Sequence, residues 1–186
     1  IHIYELHDEK LKGAVLLLVG MLLFLSSPVY SQEVPAPEDY SNLLSVGIVT
    51  LREGNLLEAK GRFEQALMKN QEGVEAHYYL GVIDARQGNT HQAKERFNHA
   101  IAIDPTFVPV YFDLGILYYQ DGQYTDAKKM FDVVEKVDPA RARVYYYQGL
   151  IFRQQGKPDE ATKRFEKAAF LDAELAPEAH YRAGVS

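Results

Sequence analysis

The sequence predicts an all-α solenoid of stacked helical hairpins, and three observations carry that prediction. The first is a period. Gly47, Gly81, Gly115 and Gly149 are each 34 residues apart, as are Gly54, Gly88, Gly122 and Gly156, then Ala59, Ala93, Ala127 and Ala161, then Phe63, Phe97, Phe131 and Phe165. Four columns in one register, with no insertion, mean a repeat in which each unit covers the apolar face of the next. The second is helical spacing inside each unit. The third is the punctuation between helices, supplied by glycine and by Asp-Pro pairs.

Each element follows from those columns. With the first glycine as position eight, the units are residues 40–73, 74–107, 108–141 and 142–175. Positions four, seven and eleven carry Leu43, Val46 and Thr50, then His77, Leu80 and Asp84, then Tyr111, Leu114 and Tyr118, then Tyr145, Gln148 and Phe152. That spacing gives a first helix with one packed stripe. The glycine at position fifteen ends it, because a left-handed residue closes a helix and glycine enters that conformation freely. Thr90, Thr125 and Asp159 sit where a second helix takes its N-cap. The second helix carries the Ala and Phe columns and stops at Asp104-Pro105 and Asp138-Pro139, since proline drives the residue before it out of the α region. Small residues at positions eight and twenty let the two helices cross closely, and an added methylene would overpack the crossing.

These residues resemble the tetratricopeptide repeat, whose units are 34-residue helix-turn-helix pairs. Residues 74–107 match it best, with Leu80, Gly81, Ala93, Phe97, Ala100 and Pro105 in the family's slots. The resemblance implies an all-α, right-handed α-solenoid of four full repeats. A partial fifth, residues 176–186, begins where Glu178 to Gly184 echoes Glu75 to Gly81. The chain departs from the family at position eleven, where Thr50 and Asp84 replace an aromatic, and at the closing proline, replaced by Gln71 and Ala173. Such a fold serves many complexes, so function has to be read from its surfaces.

Upstream the organisation changes. Lys10 and Lys12 precede an apolar run at residues 13–25, followed by Ser26, Ser27, Pro28, Val29, Tyr30 and Ser31. A positive flank, a short apolar run and small residues at Val29 and Ser31 make a signal peptide over residues 1–31. As a helix the run spans roughly 20 Å, short of a bilayer core of about 30 Å, which disfavours the alternative of a retained anchor. Residues 32–39, with Pro35 and Pro37, read as an extended leader. The membrane is then met only transiently, and the mature chain is periplasmic, cell-surface or extracellular.

Composition narrows the chemistry. There is no cysteine among 186 residues, hence no disulfide or thiolate metal site. Removing residues 1–31 leaves 18 Lys/Arg against 23 Asp/Glu, a net charge of −5 that argues against nucleic acid as the partner. His91 and His99 lie two turns apart on one helix without a third ligand, which reads as two solvated histidines. Glu58, Glu95 and Glu160 read as surface charge. No phosphate loop, nucleophile elbow or metalloprotease motif occurs, so the sequence predicts neither an enzyme nor a cofactor.

The resemblance implies a binding surface. In the family the concave face is built from positions two, five, nine and twelve of the first helices. Position five carries Leu44, Tyr78, Phe112 and Tyr146, continued by Tyr181; position nine carries Ile48, Val82, Ile116 and Leu150; position twelve includes Tyr119 and Arg153. Two apolar and aromatic ladders are therefore expected along a groove that takes an apolar peptide or helix of a protein partner. The alternative is self-assembly. Leu43, Val46 and Leu57 at the front, and Ala179, Tyr181 and Ala183 at the back, would join copies head to tail into filaments or tubes.

Overall fold

The structure is a computed structural model, and it describes residues 39–184. The signal segment and most of the leader lie outside the described residues. Among the described residues there are nine α-helices and no strand: α1 Tyr40–Arg52, α2 Leu56–Lys69, α3 Val74–Arg86, α4 Thr90–Ile103, α5 Val108–Gln120, α6 Tyr124–Val137, α7 Ala142–Gln154, α8 Pro158–Leu171 and α9 Ala176–Ala183. Helices pair as α1–α2, α3–α4, α5–α6 and α7–α8, and α9 packs on α8. This is an α-solenoid of four hairpins with a ninth helix packed on the last of them.

The first glycine column explains itself at the crossings. A Cβ built on Gly81 would lie 2.6 Å from the Phe97 ring, and Gly47, Gly115 and Gly149 meet Phe63, Phe131 and Phe165 in the same way. Each phenylalanine is fully buried. The first helix thus lies flush on an aromatic ring from the second, and glycine is the residue that permits that approach. The turn glycines Gly54, Gly88, Gly122 and Gly156 all have φ between 72° and 85°. Their role is conformational.

Helix starts differ from expectation. Thr90, Thr125 and Asp159 lie inside their helices, and the N-cap positions fall to Asn89, Gln123 and Lys157, none with a capping side-chain hydrogen bond. The tight glycine turn already supplies a backbone bond there: the Asn89 amide donates to the Asp84 carbonyl at 2.8 Å, and Gln123 and Lys157 repeat it. Asn55, which makes the same backbone bond to the Thr50 carbonyl, also caps α2 by accepting from the Glu58 amide at 3.3 Å. At α1 Asp39 caps in the usual way, accepting from the Asn42 amide at 2.8 Å.

The departures from the family are absorbed by polar pairs. Asp84 is 4% exposed and takes a 2.6 Å ion pair from Arg96 on α4. Gln148, 1% exposed, donates from Nε2 to Glu135 at 2.8 Å and to Asp132 at 3.1 Å. Burial opposes the Glu135 carboxylate, but the hydrogen bonds from Gln148 and Arg164 outweigh it and bring its pKa below the ordinary value.

Candidate functional site

Three first helices, α1, α3 and α5, lie side by side and leave an open cavity of about 520 Å³ between them. Ile48, Leu51, Val82, Ala85, Ile116 and Leu117 form apolar walls, Tyr78 and Tyr79 supply aromatic faces, and Phe97 lies at the floor. Arg52, Arg86, Asp113 and Gln120 complete the lining. The structure thus brings together Ile48, Tyr78, Val82 and Ile116 from the expected ladders.

The other expected residues fall elsewhere. Phe112 is 3% exposed and Leu150 7%, so both belong to the core. Phe112 is covered because Arg141 lies 4.0 Å over its ring, with Arg143 at 5.6 Å, while Phe131 and Tyr147 meet it edge-on. Leu150 is shut in by the last helical pair, whose core it joins with Phe165 and Ala179. Tyr146 is half-buried, and its hydroxyl donates to Glu178 of α9 at 3.2 Å. Tyr119 packs on Tyr147 at 5.8 Å, and Leu44 is half-buried on the first core. Arg153 and Tyr181 are exposed. The two continuous ladders are therefore one open groove over the first three repeats and a filled face over the last two.

A single repeat position separates the two. At position six Tyr79 stacks on Phe63 of the preceding repeat, with centroids 5.1 Å apart and planes 10° from parallel. Tyr147 stacks on Phe131 in the same way, at 5.3 Å and 15°. Between them the residue is Asp113, and no ring of the next repeat stacks on Phe97. Phe97 is nonetheless fully buried, and the cavity lies alongside.

Electrostatics follows the same geometry. Burial pushes the Asp113 carboxyl above its ordinary pKa, opposed by a 2.7 Å hydrogen bond from Tyr78 and by Arg141, Arg143 and Arg86 nearby. The Tyr78 hydroxyl is pushed up strongly, by burial first and then by the Asp113 charge. A matching tie from Tyr40 to Glu75 spans 3.2 Å, and burial with the Glu75 charge raises Tyr40 to about 12. Arg52 and Arg86 make no ion pair among the described residues; Arg86 reaches only the Leu51 carbonyl at 3.4 Å. On the second helices, by contrast, Arg96 and Arg164 are paired with carboxylates.

Sequence reasoning missed Tyr79, Asp113 and the two arginines. The signal was present in the position-six column, which reads Ser45, Tyr79, Asp113, Tyr147, and in position thirteen, which reads Arg52, Arg86, Gln120, Gln154. His91 and His99, read from the sequence as solvated, are both exposed. His99 meets His77 of α3 at 4.3 Å between ring centroids, while His91 lies 3.4 Å from Glu95. Among the described residues no group of three or more His, Cys, Asp or Glu is placed to hold a metal ion.

Comparison with known proteins bears on the fold. No curated protein matches the chain. Among solved structures, MamA residues 41 to the end from Desulfovibrio magneticus RS-1 is 22% identical, with 80% of this chain and 83% of that one covered and a TM-score of 0.71. The pilF protein of Pseudomonas aeruginosa is 25% identical over 77% of this chain and 68% of that one, with a TM-score of 0.68. YrrB, described as a TPR protein with an unusual peptide-binding site, is 19% identical over 78% and 75%, with a TM-score of 0.68. Models of the tetratricopeptide repeat match residues 47–106, 84–151 and 143–169. With the 34-residue columns, the flush Gly–Phe crossings and three overlapping family matches in one register, the chain belongs to the tetratricopeptide repeat family.

Proposed function

We propose that this protein is an exported, non-catalytic scaffold that holds an apolar peptide or helix of another protein in the groove across α1, α3 and α5. The observation that carries the reading is the groove itself: an open, mostly apolar cavity spanning three repeats. The solved structure of YrrB gives a precedent for peptide binding on this fold. Export rests on the sequence of residues 10–31, and intact mass of the native protein tests it through cleavage between Ser31 and Gln32.

Site-specific photo-crosslinking tests the groove. A photoreactive residue at Val82 should link to a discrete partner in cells, and one at Lys163 on α8 should not. Filling the groove with Ala85→Trp should abolish the Val82 product. Persistence of that product in the filled variant sinks the reading.

Self-association is the second reading, and exposed apolar residues at the C-terminal end favour it. Phe170 is 89% exposed and Tyr181 78%. The front end contributes less than its sequence suggested, since Leu43 is 2% exposed within its own repeat while Leu57 remains open. Light scattering of the Phe170→Ser/Tyr181→Ser variant against wild type decides it: a wild-type monomer at all concentrations rules it out.

A further inference from the structure

Position four of the repeat has one structural task, and the second repeat performs it with a different residue. In the third and fourth repeats a tyrosine, Tyr111 or Tyr145, donates its hydroxyl to the carbonyl of Pro105 or Pro139 at 2.9 Å. In the second repeat His77 makes the equivalent tie, to the Gln71 carbonyl at 3.0 Å. A carbonyl only accepts, so the bonded Nε2 carries the proton and Nδ1 is left as the nitrogen that titrates. A tyrosine already suffices for the tie. What the histidine adds is a ring that takes a charge in mild acid.

The residue facing it changes in step. Position twenty-six carries Gln65, Val133 and Lys167 in the other repeats and His99 in the second. In the fourth repeat Lys167 lies 4.1 Å over the Tyr145 ring, a favourable contact between a cation and a neutral aromatic face. In the second repeat the His77 and His99 rings are 4.3 Å apart and tilted by 49°. That contact is favourable while at most one ring is charged. With both protonated, two like charges meet in direct contact.

The surroundings supply no compensating anion. His77 is half-buried on α3 and His99 exposed on α4, beside a depression of about 300 Å³ that Gln92, Glu95 and Arg96 complete. Among the described residues the charged side chains acting on His77 are His99 and Arg96, both on α4. Asp84 of α3 is already engaged with Arg96 at 2.6 Å, and Glu95 lies 3.4 Å from His91. From the loop before α3 the facing group is the uncharged Gln71 carbonyl. Burial first, then the His99 and Arg96 charges, bring the His77 imidazole below its ordinary value, against the Gln71 bond, which favours the charged form.

We propose that the His77–His99 pair is an acid-sensitive latch: between neutral pH and about pH 5 both imidazoles take a proton, the contact between α3 and α4 parts, and the second repeat opens before the others. The third and fourth repeats, with tyrosine at position four, stay closed over that range. The latch works whatever the groove holds. Because the folded state keeps His77 below the ordinary histidine value of 6.5, the unfolded chain takes up the proton first as pH falls. Stability is therefore full above 6.5 and is lost as pH drops through 6.5 toward the folded value.

The test uses the full chain. Side-chain nitrogen NMR should find the neutral His77 ring protonated at Nε2 and titrating below 6.5, with its midpoint moved up in His99→Gln. The gap in melting temperature between His77→Tyr and wild type should widen as pH falls from neutral to about 5, since Asp113 and the other carboxylates are common to both proteins. Hydrogen exchange, expressed as protection factors, should show α3 and α4 losing at least about fivefold relative to α7 and α8 in wild type at about pH 5. His77→Tyr should remove that loss. His99→Gln, at an exposed position, should shrink it and keeps the test decisive if the tyrosine variant misfolds. A His77 midpoint unmoved by His99→Gln overturns the proposal. So does a melting gap constant with pH, or a loss of protection shared evenly by all four repeats.

Discussion

The boundary between the second and third repeats and the boundary between the third and fourth are built from the same positions and end differently. At the later one Tyr147 stacks on Phe131 and touches Phe112 and Tyr119. At the earlier one Asp113 takes the place of that ring, Phe97 stays fully buried without a partner ring from the next repeat, and the groove across α1, α3 and α5 lies alongside. A repeat scaffold therefore needs no new loop or insertion to acquire a site. A polar residue in place of one interface ring is accommodated, because the glycine–phenylalanine crossings inside each repeat hold the helices in place regardless.

The largest test of this comparison is truncation of the two phenylalanines. Phe97→Ala and Phe131→Ala should each cost about 3–5 kcal/mol in denaturant unfolding, as buried aromatics do. Phe131→Ala should cost more, by about 0.5–1.5 kcal/mol, because it also loses the stack with Tyr147. Equal costs would mean that the position-six ring contributes nothing at the closed boundary.

A second, smaller effect separates core from surface among the position-five residues. Phe112→Ser should cost about 3–5 kcal/mol, since the ring is sealed by Arg141, Phe131 and Tyr147. Tyr146→Ser should cost about 1–2 kcal/mol, in line with a half-buried ring and one hydrogen bond to Glu178. Thermal melts of the two variants check the order, and a reversed order breaks the division between filled and open faces.

The smallest effect is electrostatic and belongs to the open side. Because burial raises the pKa of Asp113 in the folded protein, folding favours its protonated form. Well below the ordinary carboxyl value of 3.8 the group is protonated folded or unfolded and imposes no penalty. As pH rises through 3.8 toward the raised folded value, the unfolded chain gives up the proton first and wild type loses stability. Asp113→Asn keeps an acceptor for Tyr78 and has no such loss. Its advantage over wild type should therefore grow as pH rises from 3 and level off above the folded value. A difference independent of pH contradicts burial as the cause.

Much of this molecule was legible in its sequence because the fold depends on contacts within one repeat. Gly81 and Phe97 must coexist for a hairpin to close, so they recur together and announce the period. The hairpin turns were legible for a similar reason, although Thr90 lies inside its helix and Asn89 takes the N-cap position. The site was only half legible. Tyr78, Val82 and Ile116 followed from position alone, but the burial of Phe112 depends on Arg141 folding over it from the loop before α7. The groove depends on which ring reaches back from the next repeat, and a column reading one repeat at a time does not register that Asp113 interrupts a tyrosine.

The turn glycines carry a consequence of handedness. A Cβ built on Gly88 meets nothing within 4 Å, yet its φ is +80°. Space is thus no obstacle at this turn, and the exclusion of ordinary residues is a matter of chirality, costing an L-residue about 1–2 kcal/mol. A mirror-image residue has the opposite preference. D-alanine at Gly88, introduced by chemical ligation, fits the observed backbone and removes freedom from the unfolded chain, which stabilises by about 0.4–1 kcal/mol. At Gly81 neither enantiomer gains, because the ring of Phe97 leaves no room for the L-methyl and the helix itself disfavours the D-form. Two glycine columns that look alike on paper thus answer to different constraints, one stereochemical and one volumetric.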